Sequence, residues 1–78
     1  MTRILLLGPA REAAGVRDDV IDGANVADVL AIAVRRYGPA FQEVLSVSKG
    51  WVNGEPSSPD QSVGPQDEVV VLPPISGG

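Results

Sequence analysis

Seventy-eight residues make one domain and no more, and so short a chain buries only roughly 60–65% of its unfolded surface, which leaves little room for a deep catalytic cleft beside a core. Six basic residues against ten acidic ones give a net charge of −4. The basic residues, Arg3, Arg11, Arg17, Arg35, Arg36 and Lys49, are scattered along the sequence, and nucleic-acid binding, which needs clustered Lys and Arg, is not expected. With no Cys and no His, the chain lacks disulfides, thiol nucleophiles, Ser-His catalysis and the usual zinc ligand sets, so no metal site is expected.

In chain order, Ile4 to Leu7 is a short apolar run ended by Gly8-Pro9, which suits a strand. The run is too short for a signal peptide or a membrane span, and the expected location is the cytoplasm, with no membrane partner. Ala10 to Gly15 reads as an Ala-rich loop or a helical turn. Val16 to Asp22 carries Val20-Ile21 among acidic residues and reads as a weak, exposed strand, with a turn at Asp22-Gly23.

The clearest element is a helix over about Val26 to Tyr37. Asn25 is a good N-cap, and Asp28 stands near the positive end of the helix dipole. Val26, Val29, Leu30, Ala33 and Tyr37 form one apolar stripe, and Arg35 and Arg36 occupy the last turn. Gly38 is placed to supply a left-handed C-terminal residue before Pro39 blocks continuation. Pro39 then starts a shorter helix through Phe41 and Leu45. Trp51 to Gly54 reads as a short strand running into a turn, and Glu55 to Gln66, with three prolines, as mostly loop. Val69 to Leu72 is a β-branched run that predicts a strand. Two terminal strands with one long helix between them fit an α+β sheet with a helix across one face, and parallel terminal strands would make that helix their crossover.

Beyond Leu72 stands Pro73-Pro74-Ile75-Ser76-Gly77-Gly78. Pro73-Pro74 stiffens the exit and removes two backbone donors, so residues 73–78 are expected to project as a flexible tail from a single domain spanning 1–78. Extended, that tail reaches about 20 Å. Gly77 and Gly78 have no Cβ, so they pass through a channel too narrow for any side chain and leave the terminal carboxylate open to attack. The pattern suits delivery of a C-terminus into another protein's active site.

Several segments together resemble one family. They are Leu5-Leu6-Leu7 with Ala10-Arg11-Glu12 and Gly15, Asn25 to Leu30, Arg36-Tyr37-Gly38, Val52 to Glu55, Asp67-Glu68-Val69 and Pro73 to Gly78. The sequence resembles the sulfur carriers that include the molybdopterin synthase small subunit and the thiamine-pathway carrier. Length, the Pro-Pro exit and the N-terminal segment favour the former. The resemblance implies a ubiquitin-like β-grasp fold with a mixed sheet and one main helix packed on one face. It also implies that the chain is no enzyme on its own. A ubiquitin-activator-like enzyme would use ATP to adenylate the Gly78 carboxylate, a sulfur donor would convert it to a thiocarboxylate, and the tail would enter the large subunit of molybdopterin synthase to give sulfur to a pterin precursor. No cofactor would be bound by the chain itself. The alternatives are a related carrier serving another sulfur-accepting synthase in thiamine, cysteine or specialised-metabolite biosynthesis, or a protein modifier that forms isopeptide bonds through Gly78. One departure from the family pattern is Gly64-Pro65-Gln66-Asp67, where a Gly-Asp pair ordinarily precedes the Glu; another is the Pro-rich stretch after Glu55.

Strand parity locates a docking face. Arg3, Leu5 and Leu7 share one side of the first strand, and Glu68, Val70 and Leu72 one side of the last. The charged members mark these sides as outward, so Leu5, Leu7, Val70 and Leu72 are expected to form an apolar patch opposite the helix, continuous with Pro73, Pro74 and Ile75 as the partner-binding set. Tyr37, Phe41 and Trp51 are expected in the core or at its border. Lys49, the single lysine, reads as solvated.

Overall fold

The computed structural model describes residues 1–72; Pro73, Pro74, Ile75, Gly77 and Gly78 lie outside the described residues. The elements are β1 (Thr2–Leu6), α1 (Pro9–Ala14), β2 (Asp18–Ile21), α2 (Val26–Tyr37), α3 (Pro39–Ser46), β3 (Lys49–Val52), β4 (Glu55–Pro56) and β5 (Glu68–Leu72). They form a five-stranded sheet in the order β2-β1-β5-β3-β4. The terminal strands β1 and β5 are parallel neighbours, and the other pairs are antiparallel. A parallel pair cannot be joined by a tight turn, and α2 lies in the connection that carries the chain from one to the other.

The helix signals act as their chemistry requires. The Asn25 side chain accepts a hydrogen bond from the Asp28 amide at 2.8 Å, and the Asp28 carboxylate accepts one from the Ala24 amide at 3.3 Å. The Pro-rich loop is more structured than its composition suggests. Its carbonyls at Gln61 and Pro59 accept hydrogen bonds from the amides of Val26 and Ala27, which α2 cannot satisfy internally. Gly23 allows the approach to α2, since a Cβ there would stand 2.9 Å from Val29 Cγ2. Gly38 corrects the expectation of a left-handed cap. Its φ of 98° is positive, but its ψ of −173° is extended. The cause is Pro39, whose ring excludes helical ψ at the preceding residue.

The core fills one side of the sheet. Ile4, Leu6, Ile21, Val52, Val69 and Val71 meet Val26, Val29 and Ala33 of α2, Ala10 of α1 and Phe41 of α3. Leu30 and Tyr37, at the edge of the α2 stripe, are only half-buried. Phe41 is the largest fully buried side chain, and Tyr37 packs edge-on against it at 5.1 Å. Burying each aliphatic or aromatic side chain contributes roughly 1.5–3 kcal/mol. Asn53 and Gly54, both at positive φ, turn β3 into β4, as Asn-Gly pairs commonly do. The unusual Gly64–Asp67 turn closes on itself. Asp67 donates its amide to the Gly64 carbonyl at 3.1 Å, and its carboxylate accepts from the Gly64 amide at 2.8 Å. No helix among the described residues is long and apolar enough to cross a membrane.

Candidate docking face and tail exit

Strand direction decides where the tail begins. Because β5 runs parallel to β1, the chain leaves the sheet at Leu72 beside Leu7, whose amide donates to the Val71 carbonyl at 3.3 Å. On the other side Leu72 stands opposite Lys49 of β3. This end of the sheet also carries Gly8, α1 and Arg17, whose carbonyl accepts from the Leu6 amide. The tail therefore starts from the middle strand of five.

The parity expectation matches the burial pattern. Ile4, Leu6, Val69 and Val71 are all 0% exposed, and Leu5, Leu7, Val70 and Leu72 are half-buried on the face away from the helices. Across the sheet, Leu5 of β1 is level with Val70 of β5, which is level with Trp51 of β3. This contiguous apolar row adds a residue expected in the core or at its border. Trp51 is half-buried, and its register puts it on the outer face. Its neighbour Val52 is nearly fully buried, and alternation sends the two to opposite faces. Parity applied to Val52 would have found it.

Charge brackets the row. Arg3 reaches Asp18 at 3.5 Å on one flank and Glu68 at 3.8 Å on the other, confirming that this face is outward. Such exposed pairs contribute about 0–1 kcal/mol each, so they mark the face more than they hold it. Asn53 donates to Asp67 at 2.9 Å and accepts from the Glu68 amide at 2.9 Å, tying the β3–β4 turn to the start of β5. The hydrogen bonds from Asn53 and then the Gly64 amide hold the Asp67 carboxyl below the usual range.

A second cluster sits at the opposite edge. Tyr37 donates its hydroxyl to Asp19 at 2.6 Å, and Arg36 donates to the same carboxylate oxygen at 2.9 Å and to the Val20 carbonyl at 3.2 Å. These bonds clamp edge strand β2 to the end of α2. The Tyr37 bond, first, and those from the Val20 amide and Arg36 lower the Asp19 carboxyl, while burial and the Asp19 charge push Tyr37 up to about 12. The folded state therefore holds Asp19 ionised and Tyr37 neutral more firmly than the unfolded chain does. Stability from Asp19 is present above its unfolded pKa and lost as pH falls through the lower folded value. Stability from Tyr37 is full below about 10 and lost as pH rises towards about 12. Melting curves followed by the fluorescence of Trp51, the single tryptophan, should show losses in both windows. Tyr37→Phe should remove the alkaline loss, at a cost of about 1.5–3 kcal/mol near neutrality.

Among the described residues, no group of three His, Cys, Asp or Glu side chains is placed to hold a metal ion. One shallow depression of about 240 Å³ lies between Arg11, Glu12, Gly15, Val16 and Arg17.

The model of the ThiS family matches residues 4–78. The chain belongs to the ThiS family. A curated relative from Chlamydomonas reinhardtii, named molybdopterin synthase sulfur carrier subunit, is 32% identical over 97% of this chain and 96% of its own. The solution structure of small archaeal modifier protein 1 from Methanosarcina acetivorans superimposes with a TM-score of 0.87 at 26% identity, covering 99% of this chain and 95% of that one. A chain of the complex of subunits 1 and 2 of molybdopterin-converting factor from Helicobacter pylori superimposes with a TM-score of 0.74 at 19% identity, covering 99% of this chain and 97% of that one, and shows the fold alone. The ubiquitin-like β-grasp architecture expected from the sequence is therefore the fold of this ThiS-family chain, and the resemblance read from the sequence is borne out.

Proposed function

We propose that this chain is a small sulfur carrier for molybdopterin synthesis, with the Gly78 carboxylate as its reacting group and Gly77 as the slender residue behind it. The observation that carries this reading is the place of the tail. The central strand β5 ends at Leu72, at the rim of a half-exposed apolar face, and residues 73–78 follow it in sequence. The name of the Chlamydomonas relative supports the same role. A ubiquitin-activator-like enzyme joins the Gly78 carboxylate to the α-phosphate of ATP, and pyrophosphate leaves. The resulting anhydride carbon is electrophilic, so a persulfide sulfur adds and AMP leaves. The product is an acyl disulfide with the donor. A second thiol attacks the donor's sulfur, a disulfide is left on the donor side, and the thiocarboxylate leaves for the tail to carry into a synthase large subunit. Leu5, Leu7, Val70, Leu72 and the residues Pro73, Pro74 and Ile75 dock that partner, while the chain itself catalyses nothing.

Mass spectrometry after incubation with the activating enzyme, ATP and a sulfur donor tests the reading. The expected product has one oxygen exchanged for sulfur at Gly78. Covalent adducts on lysines instead would establish the second reading, a protein modifier, which the likeness to the Methanosarcina modifier favours.

The outer-face position of Trp51 adds a prediction. Tryptophan is enriched among residues that dominate interface energies. Trp51→Ala should weaken association with the large subunit by about 2 kcal/mol or more, roughly thirtyfold in Kd, with the apolar row otherwise intact. Titration calorimetry measures it, and unchanged affinity removes Trp51 from the interface.

A further inference from the structure

The fold sorts charges that the sequence scatters. Strand direction defines two ends of the sheet, one where β5 hands over to residue 73 and one where β1 and β5 begin. At the tail end stand Arg17, level with Leu6, Lys49, level with Leu72, and Arg11 in α1 directly after β1. With strands about 4.8 Å apart, Lys49 is one strand from the tail's origin and Arg17 two strands away on its other side. All three are exposed, and among the described residues Arg11 and Lys49 have no ion-pair partner, while Arg17 has only a 4.0 Å approach to Asp18. Arg11 and Arg17 also flank the shallow depression beside α1, with Glu12 the one acidic residue lining it. Asp22, Asp60 and Glu55 lie towards the other end, after β2, in the loop at the α2 N-terminus and after the Asn53-Gly54 turn, where Asp67 adds to them and Glu68 is paired with Arg3. A chain of net charge −4 thus presents a positive collar around the origin of its tail and an acidic opposite pole.

We propose that Arg11, Arg17 and Lys49 form an electropositive collar that steers the carrier tail-first onto an acidic rim around the tail-accepting site of the synthase large subunit. This rests on the sulfur-carrier reading, because that reading gives the tail a site to enter. Complementary rim charges mainly raise the association rate, and they act over a distance set by ionic strength. A charge dipole whose positive end lies where β5 hands over to residue 73 serves delivery: the end that must arrive first is the end the partner's field attracts. The negative net charge limits unproductive capture by nucleic acid without weakening the local field at the collar.

Stopped-flow association with the purified synthase large subunit tests the collar. Arg11→Glu, Arg17→Glu and Lys49→Glu combined should slow association at least about tenfold at low salt, with the gap closing as salt rises and dissociation little changed. A second variant adds Asp22→Lys, Glu55→Lys and Asp60→Lys, which restores the net charge but inverts the dipole. It should remain as slow as the first, with both melting near the wild type. Recovery of the wild-type rate by this variant would show that net charge alone acts and would overturn the collar. So would equal or faster association of the triple variant. If the wild type itself does not associate, the sulfur-carrier reading falls and takes the collar with it, whereas association that ignores the reversals removes the collar alone.

Discussion

Deleting Gly78 should abolish activation of the chain while leaving its melting temperature unchanged. The adenylating step needs a carboxylate oxygen at one point in the partner's site. Removing one residue draws the reacting carbon back by about 3.5 Å along an extended tail. A misplacement of about 1 Å already costs roughly a hundredfold, so turnover should drop to background. Extending the chain past Gly78 should be equally damaging, because a peptide carbonyl then replaces the carboxylate and has no free oxygen anion to attack phosphorus. The fold should be indifferent to both changes, since the core lies within residues 4–71. ATP–pyrophosphate exchange measures activation, and circular dichroism measures the fold. Normal exchange by an unprocessed, extended chain would falsify the assignment of Gly78.

Much of the fold was legible because its signals are local. The bounds of α2 follow from Asn25, the apolar stripe and Pro39, each acting within a turn or two of its own position. One helix between two strong apolar runs allowed a parallel β1–β5 pair without requiring it, and the register supplies the parallel direction. Elements that depend on distant partners were less clear. Ala10 to Gly15 could be read as a loop or a helical turn, since so few residues cannot hold a helix alone, and packing of Ala10 into the core settles it as the helix Pro9–Ala14. The Glu55 to Gln66 stretch read as loop, yet it caps α2 across more than thirty residues of sequence. Local composition carries no trace of that bond.

The same distinction divides the candidate site. The outward side of β1 and β5 was legible because a charged residue shares each side with the apolar ones. Trp51 was expected in the core or at its border, and its face was left open because a lone tryptophan in a short strand has no such marker. Its register with Val70 is a long-range fact. The charge polarity was invisible for the same reason: Lys49 is more than thirty residues from Arg11 and Arg17 in sequence, and only the strand order places all three at one end of the sheet.

The face assignment makes a paired prediction with opposite outcomes for neighbouring positions. Leu6 is 0% exposed and belongs to the core, so Leu6→Glu places a carboxylate where no partner or water can satisfy it. An unpaired buried charge costs several kcal/mol, comparable to the whole stability of about 5–10 kcal/mol expected for so small a domain. The variant should be unfolded at room temperature. Leu72 is half-buried on the outer face, level with Lys49, so Leu72→Glu keeps its new charge solvated in the free chain and should lower the melting temperature little. Docking changes that balance. Once a partner covers the face, the same carboxylate loses water at the base of the tail, and binding should weaken by more than about 2 kcal/mol, roughly thirtyfold in Kd. Lys49 can offset part of this by pairing with the new carboxylate, so Leu7→Glu, one strand further from the lysine, should be at least as damaging to binding. Each variant needs a melting curve and a titration against the large subunit. Unfolding of Leu72→Glu alongside a stable Leu6→Glu would mean that the two faces are inverted. Normal folding and binding of Leu7→Glu and Leu72→Glu would remove this face from the interface and leave the tail as the whole of the contact.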